Sequence, residues 1–314
     1  MIQRHFSDTL VGNDPAFLNV INTLPIISAS DVIVHIEGEN GTGKELIAKS
    51  IHNLSARTGK PFISVNCRSL SDLVDDELNS ATIIDYLTRQ FHIADGGTLF
   101  LDEVEGLSAE SQSRLLRYLE TNEIQMLGSL EATKVDVRIL VSSSHYLLNK
   151  VKQKLFNEDL YYRLNIVPVQ LPALRERRSD IPLLLKHLTA KLAEQYNLSV
   201  PYYSKAALKA ISKFEWPGNV RELRNFAERM LILFSNKEVL PTNLPQEIQR
   251  NVQAEGPVME DLFRLPSSGI NLVELEKSLF NQALELSKGN QTRAAALLGI
   301  TRDVFLYRKK KYEI

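Results

Sequence analysis

Through the first half of the chain, short unbroken apolar runs alternate with stretches whose apolar residues recur every three or four positions. The run DVIVHI, Asp31 to Ile36, has the length and β-branched content of a buried strand. Beyond it, Leu46, Ile47, Ser50 and Ile51 have helical spacing. Further strands are predicted at Phe62–Val65, Thr98–Leu101, Val137–Val141 and Ile166–Gln170. Strands that alternate with helices in this way imply an α/β fold with a parallel sheet covered on both faces.

From about Pro172 the pattern becomes helix only. Ser179-Asp180-Ile181-Pro182 reads as a cap and an early-helix proline opening a helix to about Tyr196. Ser204 caps another, and PGNVRE from Pro217 starts a third. Pro245–Gly269 mixes Pro, Gly, Ser and charge without a period, and a last helical unit runs from Asn271 to the end. The expected division is 1–172 (α/β), 173–246 (helical), 247–268 (linker) and 269–314 (small all-α domain).

Composition changes this picture little. In 314 residues, 44% are hydrophobic and 24% charged, ordinary for a globular chain with a substantial core. A net charge of −1 makes any signal for nucleic acid a local one. The single cysteine, Cys67, excludes an internal disulfide, reads as a small buried apolar residue and suits a reducing cytosol. With no membrane-length apolar run and no signal-peptide pattern, the chain is read as cytoplasmic.

Two motifs carry chemistry. Gly38-Glu39-Asn40-Gly41-Thr42-Gly43-Lys44-Glu45 follows a predicted strand and opens a predicted helix, so its backbone N–H groups and the helix dipole converge on a phosphate. Lys44 reaches the outer phosphates as a point charge. Gly96-Gly97-Thr98-Leu99-Phe100-Leu101-Asp102-Glu103 is an apolar strand ending in two carboxylates. Such a pair suits phosphoryl transfer, one holding magnesium and the next polarising the attacking water.

From Leu10 to Leu244 the chain resembles the AAA+ ATPase domain of NtrC-type bacterial enhancer-binding proteins, the activators of sigma-54 RNA polymerase. LVGNDPAF, GENGTGKELIAKSIH, FISVNC, ADGGTLFLDEV, LPALRERRSDIPLL and FEWPGNVRELRNF carry the likeness. It implies that Leu10, Val11 and Gly12 line an adenine pocket and that Gly38, Gly41, Thr42, Gly43, Lys44 and Glu45 form the phosphate loop. It makes Asp102 the Mg2+ ligand for ATP, with Glu103 beside it, and Arg221 the lid arginine that senses the outer phosphate. The family also has a glutamate at the Glu45 position.

The chain departs from that family in three places. Its interval Arg68–Ala94 is short and has no glycine, whereas sigma-54 activators carry a longer insertion there with a GAFTGA motif. In FNEDLYYRL, Phe156 to Leu164, Arg163 matches one of two arginines given to the neighbouring subunit's ATP, but Asn157 replaces the other. At the water-orienting strand end, Ser143-Ser144 replaces Thr-Asn. These differences predict that ATP is bound well and hydrolysed slowly or hardly at all.

The stretch NQTRAAALLGITRDVFLYRKKKY, Asn290 to Tyr312, reads as a helix-turn-helix. Ala294 to Ala296 allow close helix crossing, Gly299 makes the turn, and Thr301 caps a helix bearing Arg302, Arg308, Lys309, Lys310 and Lys311. This is a local basic patch in a near-neutral chain. It resembles the Fis-type unit that ends many of these activators. By that likeness Thr301, Arg302 and Tyr307 face the major groove of double-stranded DNA, and Thr292, Arg293, Lys310 and Lys311 reach phosphates. Leu306 stands where that family often has an arginine. Leu272, Leu275, Leu279 and Ala283 form an apolar stripe, either this unit's own core or, as favoured here, a dimer interface.

These readings together predict a DNA-binding transcriptional regulator that assembles through its AAA+ domain as a dimer or ring. It is expected to act on RNA polymerase without sigma-54, like the VpsR-like branch, and cyclic di-GMP is a candidate ligand by the same likeness. The rival is an active ATPase motor remodelling sigma-54 RNA polymerase. The chain starts almost at the ATPase, so a receiver or sensor domain is expected outside it or not at all.

Overall fold

A computed structural model describes residues 10–72, 80–125, 131–144, 147–249, 269 and 271–312. Asp14 caps α1 (Pro15–Ser28), its carboxylate accepting from the Ala16 N–H, with proline at the first helical position. Then follow β1 (Val34–Glu37), α2 (Lys44–Leu54), β2 (Phe62–Asn66), α3 (Cys67–Asp72), α4 (Ser80–Ile93) and β3 (Thr98–Asp102). Next come α5 (Ala109–Thr121), the short strands β4 (Glu123–Gln125) and β5 (Ala132–Lys134), β6 (Arg138–Ser143), α6 (Leu147–Lys152), α7 (Glu158–Leu164) and β7 (Val167–Gln170).

Five strands form one all-parallel sheet in the order β2-β3-β6-β1-β7. All five predicted strands are present, shifted by up to three residues. β1 begins at Val34 rather than Asp31, because the Asp31 carboxylate turns out to meet the Arg57 guanidinium at 2.8 Å. One apolar cluster beside the sheet holds Val34, Ile36, Ile47, Ile51 and Phe100. A second holds Leu99, Leu101, Leu115, Val141 and Leu160. Successive residues of β3 divide between the two, as strand alternation requires.

After β7 the chain builds a lid from α8 (Ile181–Tyr196), α9 (Lys205–Lys213) and α10 (Asn219–Phe234). The early proline Pro182, the cap at Ser204 and the start near Pro217 all stand in the structure. Asp180, however, takes the N-cap position of α8 without capping it, its carboxylate accepting from the Asn13 and Asp14 N–H groups instead. Trp216, Leu174, Leu223 and Met230 are buried in the lid core. Two features lie outside the helix-only expectation. β8 (Tyr202–Tyr203) and β9 (Glu238–Val239) pair in parallel, each too short to leave a periodic signal. Residues 246–249 are helical, with Ile248 buried in the lid core, so the stretch read as irregular from Pro245 starts with ordered chain. The remainder of the expected linker lies outside the described residues, as do residues 73–79 of the interval Arg68–Ala94.

Residues 1–253 form one compact unit and 254–314 another. The second contains α11 (Leu272–Leu286), α12 (Gln291–Leu297) and α13 (Arg302–Tyr312). Its core is Phe280, Ala283, Ala294, Ala295 and Phe305, with the two phenylalanine rings stacked at 4.8 Å. The chain is thus a parallel α/β domain with a helical lid, followed by a small all-α unit. Among the described residues no helix is long and apolar enough to cross a membrane.

Candidate functional site

The loop between β1 and α2 turns sharply because Gly41 and Gly43 adopt φ of 80° and 107°, a region side chains rarely enter. At Gly41 a Cβ would also lie 2.3 Å from the Gly218 carbonyl oxygen of the lid. At the loop's start, the Gly38 N–H donates to the Ser143 carbonyl at the end of β6, 3.2 Å away. The Thr42 hydroxyl donates to the Glu39 carbonyl at 2.7 Å, so it closes the loop on itself. Glu45 pairs with Lys49 one turn along α2, at 2.7 Å.

Lys44 is buried, and its ammonium donates to the Gly38 carbonyl at 2.7 Å and the Glu39 carbonyl at 3.3 Å. Burial lowers its pKa, while the carboxylates of Asp102, Glu105 and Glu103 favour the charged form. Asp102 ends β3 and accepts a short hydrogen bond from the Ser142 hydroxyl. That same hydroxyl accepts from the Glu103 N–H at 3.1 Å. Glu103 has φ 55°, a left-handed conformation of the kind that concentrates at functional sites.

A cavity of about 470 Å3 opens over this loop. Leu10, Val11, Phe17, Leu184, Leu188 and Leu192 give it an apolar side; Lys44, Asp102, Glu103, Arg177, Arg221 and Arg224 give it a charged one. Gly41, Thr42, Gly43 and Glu45 line it as well. Gly38 lies behind, at the end of β1. Gly12 is not among the lining residues; a Cβ there would run into the Phe17 ring at 2.5 Å and the Asp180 carboxylate at 2.7 Å. Its role is therefore to let the chain pass between those two side chains.

Several residues that sequence reasoning passed over organise the site. The Asn219 side chain, fully buried, accepts from the Leu174 N–H at 2.7 Å and donates to the Asn40 carbonyl at 3.0 Å and the Glu39 carboxylate at 3.1 Å. Arg175 grips the same carboxylate with two hydrogen bonds, and the Val220 N–H reaches the Gly41 carbonyl. The lid is thereby stitched to the phosphate loop. Arg177 stacks over Phe17 at 4.4 Å and donates to the Thr42 carbonyl at 3.1 Å. Ser142 left no signal in the sequence: it is the β3–β6 register, pairing Leu101 with Val141, that sets it beside Asp102.

The geometry adds to two of the departures from the family. Ser143, first of the pair that replaces Thr-Asn at the strand end, is fully buried, with its hydroxyl 2.7 Å from His35 Nε2 and 3.0 Å from the Ser144 carbonyl. Asn157 is more than a missing arginine: its side chain caps α7 by accepting from the Leu160 N–H at 2.9 Å. Arg163, on the same helix, pairs with Glu120 at 3.1 Å and is not among the lining residues of the cavity.

In the second unit Asn290 caps α12, Gly299 turns at φ 67°, and the Thr301 hydroxyl accepts from the Val304 N–H. Ala294 and Ala295 are buried where the helices cross, whereas Ala296 is exposed. Thr292, Arg293, Thr301, Arg302, Tyr307, Lys310 and Lys311 are all exposed. Arg308, read as part of the DNA-binding patch, is exposed and forms an ion pair with Glu276 of α11, which also accepts from the Tyr312 hydroxyl. Of the apolar stripe, Ala283 is core while Leu272 is 72% and Leu279 44% exposed, so the stripe is only partly this unit's own core.

A phosphate-type loop, an acid-ended strand and a lid arginine around one cavity, in a chain that also carries a basic helix-turn-helix, define a nucleotide-binding transcriptional regulator. Residues 10–170 match the Sigma-54 interaction domain, 175–260 the AAA+ ATPase lid domain, and 271–312 the Bacterial regulatory protein, Fis family. The chain belongs to the sigma-54 interaction domain family of NtrC-type transcriptional regulators, with an ATP-binding AAA+ domain and a Fis-type DNA-binding unit. It is 38% identical over 305 residues to the transcriptional regulatory protein ZraR of Salmonella typhimurium, covering 95% of this chain and 67% of that protein. To the phenol regulator MopR of Acinetobacter guillouiae it is 38% identical over 314 residues, 96% of this chain and 56% of that one. Among solved structures it resembles NtrX from Brucella abortus in complex with ATP, with a TM-score of 0.69, 30% identity, and 100% of this chain and 72% of that one covered.

Proposed function

We propose that the protein is a cytoplasmic, DNA-binding transcriptional regulator that binds ATP and Mg2+ in its AAA+ domain and acts on RNA polymerase without sigma-54. One observation carries the departure from the family's usual output: Arg68–Ala94 contains no glycine and no GAFTGA motif, so the loop that engages sigma-54 is missing. The absence supports reading the chain with the VpsR-like branch, and cyclic di-GMP is the candidate ligand by that likeness.

In this reading the backbone of Gly41, Thr42 and Gly43 cradles the phosphates, Lys44 and Arg221 balance their charge, and Leu10 with Val11 borders the adenine, while Gly38 and Gly12 shape the chain behind them. Asp102 holds magnesium and Glu103 orients water. Among the described residues no group of three or more His, Cys, Asp or Glu is disposed to hold a metal ion. Magnesium takes most of its shell from phosphates and water, so one carboxylate is enough to hold it here. Arg163 serves the neighbouring subunit's ATP in a ring, and the neutral amide of Asn157 keeps turnover low. In the second unit Thr301, Arg302 and Tyr307 read bases, and Thr292, Arg293, Lys310 and Lys311 hold phosphates.

The motor reading has one observation on its side: Lys44, Asp102, Glu103 and Arg221 line a single cavity, a complete half-site for hydrolysis. Reconstituted transcription on a promoter the protein binds, with each form of polymerase, separates the two. Activation with the housekeeping form is expected. Activation with the sigma-54 form alone overturns the proposal.

A further inference from the structure

His35 sits in the middle of β1, between Val34 and Ile36, and all three are fully buried. Its flanking residues face the apolar cluster around Ile47 and Phe100. The imidazole points to the other side of the sheet, where both ring nitrogens find partners. Nε2 lies 2.7 Å from the Ser143 hydroxyl, and Nδ1 lies 3.0 Å from Asn165 Oδ1. The Asn165 amide nitrogen is committed to the Tyr161 hydroxyl at 3.2 Å, so its oxygen faces the ring. With the Asn165 oxygen facing the ring, Nδ1 donates to Asn165 and Nε2 is left to accept from the Ser143 hydroxyl, whose single hydrogen is shared with the Ser144 carbonyl at 3.0 Å. A polar ring in a sheet interior is costly unless both ends are satisfied, and here both are.

The two partners belong to different functional elements. Ser143 ends β6: its carbonyl accepts the Gly38 N–H of the phosphate loop, and Ser142 beside it bonds Asp102. Asn165 follows α7 directly, its N–H bonded back to the Tyr161 carbonyl, two residues after Arg163. A single imidazole thus bridges the strand end at the nucleotide site and the helix that carries the exported arginine. A valine or leucine at this place in the strand could fill the space but make neither bond.

We infer that His35 is a positioning residue that couples occupancy of a subunit's own nucleotide site to the placement of α7, and hence to the Arg163 it offers a neighbour. The inference rests on the nucleotide-site reading above. Nucleotide that shifts the phosphate loop or the acid pair moves Gly38 and Asp102, both bonded to the β6 end. His35 transmits that shift to Asn165 through two directional hydrogen bonds, which non-directional apolar packing would not supply. A coupling is real only if two sites bias one element, and α7 is that element here.

Hydrogen exchange of the α7 amides in the full chain, with and without saturating ATP and Mg2+, tests it, alongside calorimetric ATP affinity. In the wild type, ATP is expected to slow α7 exchange about fivefold, a coupling at the low end of those known. His35→Leu should bind ATP with unchanged affinity while the α7 response falls below about twofold. His35→Gln, which offers one donor and one acceptor, should restore most of the response, which filling the space alone does not. Asn165→Ala cuts the same link from the α7 side and replaces His35→Leu if that variant fails to fold. An α7 response that persists in these variants, or is absent in wild type that binds ATP, overturns the coupling alone. Failure of the wild type to bind ATP overturns the nucleotide-site reading and the coupling with it.

Discussion

Asn219 offers a sharp test of how the lid is joined to the nucleotide loop. In Asn219→Ala the Leu174 N–H, on a fully buried residue, loses its acceptor, which costs about 1–3 kcal/mol. Asn219 also has φ 52°, and a Cβ without a compensating polar side chain adds about 1 kcal/mol there. The lost bonds to Glu39 and Asn40 add less, since Arg175 still holds Glu39 and Asn40 is exposed. The sum is a loss of about 3 kcal/mol, or a fall in melting temperature of about 6–12 °C for a unit of this size. Asn219→Gly, free of the left-handed strain, should recover about 1 kcal/mol of it. The reporter is built in: Trp216, the chain's single tryptophan, is buried in the lid three residues away. Urea unfolding followed by its fluorescence reads the lid directly. ATP affinity should fall severalfold as well, because a loop no longer pinned at Asn40 must be ordered on binding. Alanine and glycine variants both within about 0.5 kcal/mol of wild type would refute the stitching argument.

Lys44→Ala should abolish measurable ATP binding in calorimetry, since it removes the buried cation at the phosphates. Asn157→Arg should raise turnover by roughly an order of magnitude in a ring, with little change in ATP affinity. The lost cap on α7 should cost about 1 kcal/mol at the same time, so phosphate release and a urea melt belong together. Arg302→Ala should relax base preference in footprinting, whereas Lys310→Ala should weaken all sequences alike and flatten the salt dependence. Burial lowers the His35 pKa against the pull of Asn165, Glu37 and Glu105. The unfolded chain then binds more protons, so this contribution to stability is complete above about pH 6.5 and shrinks as pH falls through it. Urea midpoints at pH 7.5 and 5.5 should accordingly fall less in His35→Leu than in wild type.

What the sequence determined by itself was local. Strand runs, caps at Ser204 and Thr301, the early proline at Pro182 and the glycines of the loop act through neighbours within a turn or two, so their signals survive in one dimension. Gly41 and Gly43 announced a tight turn, and the acid-ended strand announced the carboxylates that the structure sets beside Lys44. Only tertiary structure decided which side chains those elements would meet. That Asn219 closes onto a loop 180 residues away, that Ser142 rather than Ser143 touches Asp102, and that Glu276 claims Arg308 all depend on which face of an element turns inward. A one-residue change of face on a strand exchanges site for core, and composition does not record it. His35 shows the same division: an apolar run hides a polar residue as a core position, and its two partners, on β6 and after α7, become visible only when the sheet brings them to either side of it.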